Sequence, residues 1–295
     1  MPSTRDIRRR IKSVKNTAQI TKAMQMVAAS KMRKAQQSAL AGRPYAALMN
    51  EVLEAVVAES KDFTHPLIEK REGKKRGVII VSTDKGLCGG LNSSLMREAA
   101  KFEADTKFIG CGRKASQFLA RTRRALVAEF TYKDAPLFSE ARAISKFAQD
   151  LFLKGEVDQV DILFTRFIST LNQKPEILQL LPIGEIKPVV AGIGAAPEPA
   201  SHPDTSATGG GEFLFEPSQE QVFGALLPHS LNFQVYQILL EAKASEHSAR
   251  MVAMKNATDN AKQFIKDLTL EYNKLRQANI TKELLEITSA AMAMG

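Results

Sequence analysis

The feature that most constrains the fold is the stretch 229–294, 66 residues without proline or glycine, the two strongest breakers of regular structure. As one α-helix it would be about 100 Å long, at 1.5 Å of rise per residue. Its apolar or small residues recur in steps of three and four, at Met251, Met254, Thr258, Ala261, Ile265, Leu268, Tyr272 and Leu275, before Asn279. Heptad spacing of this kind is typical of a coiled-coil seam. A helix of this length therefore needs a partner along it.

Residues 3–41 are predicted to form the partner helix, because they also lack proline and glycine. The same spacing gives a second seam at Ile7, Ile11, Val14, Ala18, Thr21, Ala28, Met32, Ala35 and Ala39, with Gln25 as a polar interruption. Gly42 and Pro44 are expected to interrupt this helix. We expect residues near 7–39 to pack antiparallel to residues near 244–280, because each seam needs burial.

Between these segments, strands alternate with helices of 10–15 residues, which predicts an inserted α/β domain with a mainly parallel sheet. Strands are expected at 78–81, 107–109, 125–132, 157–169 and 174–182, the last two joined by a turn near Asn172. The fold class is thus mixed: a long antiparallel two-helix coiled coil formed by the N- and C-terminal segments, with an inserted Rossmann-like α/β domain.

Four domain segments are expected: a coiled-coil helix within 1–65, the α/β domain at 77–187, a flexible loop insertion at 188–211, and a coiled-coil helix within 218–295. The loop is predicted from its proline, glycine and alanine content. Ser218 is expected to cap a helix with Gln221 at the capping-box position. Gly224 and Pro228 are expected to mark an irregularity before the long helix.

Positive charge is concentrated near the start of the chain. Residues 3–41 hold ten lysines and arginines against Asp6 alone, a net charge of +9 that equals the formal charge of all 295 residues. Such a segment implies an acidic partner, and a basic coiled-coil nucleic-acid-binding protein is the alternative function class. A solvated or protein-binding face is favoured because the same helix has an apolar seam to bury. The α/β insert argues against nucleic acid, as do acidic residues in the C-terminal helix, namely Glu241, Glu246, Asp259, Asp267 and Glu271.

No pattern indicates catalysis, and neither an enzyme activity nor a cofactor is expected. Residues 110–115, Gly-Cys-Gly-Arg-Lys-Ala, resemble a dinucleotide fingerprint, but they follow the second strand of the domain, so a structural turn is favoured over a dinucleotide enzyme. Phosphate binding by the loop around Lys85 would lack the P-loop motif. The four histidines lack metal-ligand spacing and are expected to be solvated. Cys88 and Cys111 are too few for a zinc site and fit a reducing cytoplasm.

Two long stretches of sequence carry a family resemblance. Residues 20–32, Ile-Thr-Lys-Ala-Met-Gln-Met-Val-Ala-Ala-Ser-Lys-Met, and residues 268–287 resemble the N- and C-terminal helices of the gamma subunit of F-type ATP synthases. Residues 82–89 and 248–257 are similar to the same family. The resemblance follows the family's order along nearly the whole chain, with no recognised counterpart for 188–211. Ala290 stands where the family usually has glycine.

The resemblance implies a non-catalytic rotor subunit, the central stalk, which couples proton or sodium flow through a membrane rotor ring to ATP synthesis or hydrolysis on surrounding subunits. The implied partners are the alpha- and beta-type nucleotide-binding subunits, the epsilon-type subunit and the c-type rotor ring, with no nucleic acid. Without an apolar run of 18 residues or a targeting peptide, the expected location is peripheral, on the cytoplasmic face of a bacterial plasma membrane. The resemblance also implies partner contacts at Met24, Arg33, Lys34, Arg276, Gln277, Ile287 and Met292.

Overall fold

The computed structural model describes residues 3–42, 44–49, 52, 65–69, 71, 73, 75–183, 216 and 218–294. Contacts divide the chain into two compact units. The first consists of Met1–Ala28 with Arg250–Gly295, and the second of Ala29–Ala249. The insertion predicted at 188–211 lies outside the described residues, as does most of the stretch 50–64.

The second unit contains a five-stranded sheet with the strand order β3-β2-β1-β4-β5. The strands are β1 (Arg76–Val81), β2 (Lys107–Cys111), β3 (Leu126–Phe130), β4 (Gln159–Phe167) and β5 (Gln173–Leu181). The pairs β1–β2, β1–β4 and β2–β3 are parallel, and β4–β5 is an antiparallel hairpin that turns at 168–172. The mainly parallel α/β domain is thus confirmed, including the turn near Asn172.

Helices cover both faces of this sheet. The connecting helices are α2 (Leu91–Ala99), α3 (Arg113–Arg121) and α4 (Phe138–Leu153). On one face, Leu95 of α2 and Leu119 of α3 pack with Val78 and Ile80 of β1. On the other face, α4 and the C-terminal helix share one apolar cluster with Ile79 of β1. The C-terminal helix contributes Leu231, Val235, Ile238, Leu239 and Ala242. Both faces of the central strands are therefore buried, which explains why β1 is a continuous apolar run.

Two long helices come from the ends of the chain, α1 (Thr4–Ala41) and α5 (Gln219–Met294). The start of α1 has a reciprocal capping box, in which the Asp6 amide donates to Ser3 Oγ and the Ser3 amide donates to the Asp6 carboxylate. Hydrogen bonds to the Asp6 carboxylate, first from the Ser3 hydroxyl and then from the Ser3 amide, lower the pKa of Asp6. The helix ends just before Gly42, as predicted, and helical structure resumes over residues 44–49.

The predicted irregularity at Gly224 and Pro228 is wrong, because α5 continues through both residues. It begins beside Ser218, whose hydroxyl accepts the Gln221 amide, so the predicted cap is present. A proline inside a helix costs about 3 kcal/mol. Phe223 and Leu227, on the first turns of α5, are almost fully buried in one cluster with Met49. Burying two such side chains contributes about 1.5–3 kcal/mol each, which offsets the cost of the proline.

Candidate functional site

The turn that resembles a dinucleotide fingerprint is filled by protein groups. Gly112 has a φ of 98°, and a Cβ there would lie 2.4 Å from the Ser82 carbonyl oxygen, so only glycine fits. The first amides of α3 donate to neighbouring protein oxygens: Arg113 to Asp84, Lys114 to the Thr83 carbonyl, and Ala115 to Ser82 Oγ. Because these amides already have partners, the contacts support the structural-turn interpretation.

Side chains with catalytic potential are engaged in packing. Burial raises the pKa of the Cys111 thiol, which keeps it protonated and a poor nucleophile. Within the described residues, no three His, Cys, Asp or Glu side chains lie close enough to hold a metal ion. His229 Nε2 is 2.8 Å from the Tyr45 hydroxyl. The prediction of solvated histidines is wrong for His247, which is buried, and His202 lies outside the described residues.

In the first unit, burial follows the predicted seams. Ile7, Thr21 and Ala28 are buried, with the intervening seam positions of α1 half-buried. On α5, the buried positions Met254, Thr258, Ala261 and Leu268 belong to the predicted series. The hydroxyls of Thr21 and Thr258 are 2.7 Å apart, a buried hydrogen bond between the two helices. The 3.5-residue spacing therefore identified the contact faces correctly.

The second unit contains the continuation of the same helix pair. Ala35 and Ala39 of α1 share a buried cluster with Leu240 and Ala244 of α5, together with Phe167 at the end of β4. Small residues on both helices let the backbones approach closely. Later residues of α1 meet earlier residues of α5, which makes the pairing antiparallel, as predicted.

The seven predicted partner-contact residues are mostly on open surface. Met24 is half-buried, while the other six are exposed, namely Arg33, Lys34, Arg276, Gln277, Ile287 and Met292. In the first unit, all residues of α5 from 276 to 293 are exposed, including large apolar side chains at Leu284, Leu285, Ile287 and Met292. Arg33 and Lys34 belong to the second unit. Whether these residues contact a partner stays a prediction.

Sequence reasoning missed a set of buried polar residues on α5, here called the polar segment, residues 241–248. Glu241, Lys243, Ser245, Glu246, His247 and Ser248 are all buried. Glu241 and Glu246, two of the acidic residues that argued against nucleic-acid binding, are therefore not on the exposed surface of the helix. Glu241 accepts the Phe167 amide at 3.1 Å, and Glu246 accepts a hydrogen bond from Lys243 at 3.0 Å. One available signal was the density of charged and hydroxyl residues between Leu240 and Ala249, where no seam spacing accounts for them.

Asp134, in the loop between β3 and α4, connects the polar segment to α1. Its carboxylate accepts a hydrogen bond from Lys31 of α1 and lies 3.8 Å from Lys243 Nζ. The Lys31 hydrogen bond, aided by the charge of Lys243, lowers the pKa of Asp134. Next to it, the ring of Tyr132 lies 4.6 Å below the Lys243 ammonium. Burial raises the pKa of Tyr132, which therefore stays neutral and donates to the Ser82 carbonyl.

Among the described residues, no helix is both long and apolar enough to cross a bilayer.

Comparison with known proteins gives one consistent family. The family model described as ATP synthase matches residues 3–294. The ATP synthase gamma chain of Opitutus terrae is 50% identical over 299 aligned residues, covering 99% of each chain, and that of Methylacidiphilum infernorum is 46% identical over the full length of both. A chain from the OSCP/F1/c-ring structure of Euglena gracilis mitochondrial ATP synthase shares the fold, with a TM-score of 0.68 at 22% identity over 99% of this chain and 94% of that one. The chain belongs to the ATP synthase gamma chain family.

Proposed function

We propose that this chain is the central-stalk rotor subunit of an F-type ATP synthase. It couples proton or sodium flow through a membrane rotor ring to ATP synthesis or hydrolysis on the surrounding alpha- and beta-type subunits. The chain itself carries no chemistry in this proposal and is a mechanical part of the complex. Its place is peripheral, on the cytoplasmic face of the membrane, where it also contacts the epsilon-type subunit.

The observation that carries the proposal is the exposed end of α5. Residues 276–293 expose every side chain, and Ile287 and Met292 are 66% and 85% exposed. Large apolar side chains left in water favour association with a partner surface. A helical end of this composition suits rotation inside a sleeve of apolar side chains, because apolar contact is non-directional and does not fix one orientation.

Arg276 and Gln277 are the polar counterpart of this apolar end. Both are exposed and follow Leu275, the last half-buried position of the seam. The Arg guanidinium offers a planar set of donors that matches a carboxylate, and Gln adds a neutral donor and acceptor. Directional contacts of this kind can form in one rotary position and release in the next. We therefore assign these two residues to contact with the catalytic subunits.

The test is the double variant Arg276→Ala with Gln277→Ala in the assembled complex. ATP turnover and ATP-driven ion pumping should fall, since directional contacts of this kind are expected to contribute about 1.5–3 kcal/mol when a charge is involved. Unfolding of the isolated chain should be unchanged, because neither side chain is buried. A matched control is Arg121→Ala with Gln117→Ala, an exposed Arg and Gln on α3. Equal turnover and pumping in both double variants would contradict the assignment.

A basic coiled-coil nucleic-acid-binding protein is the alternative raised by the charge of α1, and no observation on the described residues favours it. A DNA titration at two salt concentrations separates the two functions. Phosphate neutralisation by this segment would weaken binding steeply with salt. We expect only weak binding of duplex DNA at physiological salt.

A further inference from the structure

The polar segment lies at the place where α/β sheets of this topology bind their ligands. The strand order β3-β2-β1-β4-β5 reverses direction between β1 and β4, because the chain moves outward from β1 to β3 and then returns to the other side of β1. In such sheets the ligand crevice is outside the carboxyl ends of the two strands at the reversal. Here that crevice is bounded by Ser82 after β1 and by the turn 168–172 after β4.

Hydrogen bonds attach the polar segment to the carboxyl end of β4. Ser245 Oγ donates to the Thr165 carbonyl at 2.9 Å, and Ser248 Oγ donates to the Thr170 carbonyl at 2.8 Å. Glu241 accepts the Phe167 amide, as described above. The polar segment therefore lies against the carboxyl end of β4, one of the two strands that bound the crevice.

An ionic group lies between the polar segment and the loop after β3. Lys243 is only 1% exposed, and its ammonium group is between the Glu246 carboxylate, the Asp134 carboxylate and the face of Tyr132. Tyr132 in turn donates to the Ser82 carbonyl at the end of β1. Charges that are this deeply buried are retained only where partners compensate them. When the Asp134 charge is removed, Lys243 still has the Glu246 carboxylate at 3.0 Å.

Asp134 extends this group to the second long helix. Its carboxylate pairs with Lys31 on α1 as well as with Lys243 on α5. Asp134 in the loop after β3 thus forms ion pairs with both long helices. A torque applied to the α/β domain would reach both helices through side chains that point in fixed directions.

We propose that the ligand crevice of the α/β domain is adapted to hold the chain's own helix, and that Lys243, Glu246 and Asp134 are positioning residues that prevent the helix pair from turning relative to the domain. The inference rests on the proposed rotor function. It gives the buried ionic group a mechanical role, because apolar packing alone fixes rotation about a helix axis less sharply than directed hydrogen bonds and ion pairs do.

The first test uses Asp134, whose side chain is partly exposed, so that its replacement leaves the core intact. In the assembled complex, Asp134→Asn should lower the number of ions pumped per ATP hydrolysed by roughly twofold or more, because it weakens two ion pairs at once. Asp134→Glu keeps the carboxylate and should restore most of the coupling. Glu98→Gln is the matched control, since it removes a carboxylate paired with Lys101 in the adjacent turn after α2.

The second test separates positioning from stability. Lys243→Met with Glu246→Met replaces the buried ion pair with apolar side chains of similar size, a change that often preserves stability. We expect a melting temperature near that of the wild-type chain, reduced pumping per ATP, and faster amide hydrogen exchange in residues 131–137. Unchanged exchange and unchanged coupling in this variant and in Asp134→Asn would overturn the inference.

The proposed rotor function and the role assigned to the crevice can fail separately, because hydrogen exchange is measured on the isolated chain and pumping on the assembled complex. Failure of the wild-type chain to support any ATP-driven pumping would overturn the proposed function, whatever the exchange data. Normal pumping by the wild-type complex, combined with unchanged exchange and coupling in the variants, would overturn only the role assigned to the crevice.

Discussion

Residues 238–249 and residues 276–293 belong to the same helix, α5, and have opposite environments. Every residue of the first stretch is buried, whereas every residue of the second is exposed. The buried stretch contains Glu241, Lys243 and Glu246, and the exposed stretch contains Leu284, Leu285 and Ile287. For these six residues, hydropathy predicts the reverse. The difference follows from where the partners come from: the α/β domain supplies hydrogen-bonding partners to the first stretch, and the second is where we propose contact with another protein.

The largest effect should come from the buried stretch. Leu239 is fully buried in the core cluster on the α4 face of the sheet. Leu239→Ala removes apolar contact and leaves a cavity, which should lower the free energy of unfolding by about 2–5 kcal/mol. Denaturant unfolding of the full chain measures this value. A loss below about 1 kcal/mol would mean that this part of α5 packs less tightly than the structure has it.

The hydrogen-bonded pair Thr21 and Thr258 tests the part of α5 that lies between the buried and the exposed stretch. Thr21 and Thr258 share a buried hydrogen bond, and Thr258 Oγ1 also donates to the Met254 carbonyl at 2.8 Å. Thr21→Val and Thr258→Val should each cost about 1 kcal/mol, since each leaves one buried hydroxyl with fewer partners. The double variant should cost clearly less than the sum of the two, as expected for residues in contact. Additive values in a double-mutant cycle would contradict a direct bond.

Asp134 gives a pH dependence for the polar region. Its pKa in the folded chain is lowered, chiefly by the Lys31 hydrogen bond, so its stabilising contribution is full above the unfolded value of 3.8 and is lost as pH falls through the lower folded value. Asp134→Asn should therefore reduce stability at pH 6–8, by under about 1 kcal/mol because the pair is partly exposed. The difference from wild type should shrink below about pH 4. Unfolding curves across this range would contradict the assignment if the difference grew on acidification.

Leu284→Ala should have the smallest effect on the isolated chain. The side chain is 58% exposed, so its removal should change the free energy of unfolding by no more than about 0.5 kcal/mol. In the assembled complex the same variant should weaken retention of this chain, because the partner surface loses an apolar contact. Paired with Leu239→Ala, it compares the same substitution at two ends of one helix. Equal costs in the isolated chain would remove the contrast between the two stretches.

The sequence predicted features that repeat with a fixed period. Spacing in steps of three and four identified the buried faces of both long helices, and alternation of strands with helices predicted the sheet. The continuity of α5 through Pro228 could not be predicted, because it depends on the burial of Phe223 and Leu227 against distant residues. The burial of the polar segment could not be predicted for a similar reason. Its partners, such as Asp134 and Phe167, come from loops and strand ends whose positions only the folded sheet defines.

The order of the strands and helices along the sequence affects how the chain folds while it is being synthesised. The sheet is complete at Leu181, but the face that packs on α5 also requires Leu231, Val235, Ile238 and Leu239. At translation rates of about 5–20 residues per second, those residues follow the last strand by several seconds. During that interval the nascent domain has an uncovered apolar face beside an empty crevice. A newly made chain should therefore bind chaperones that recognise apolar surface until its last helix has emerged from the ribosome.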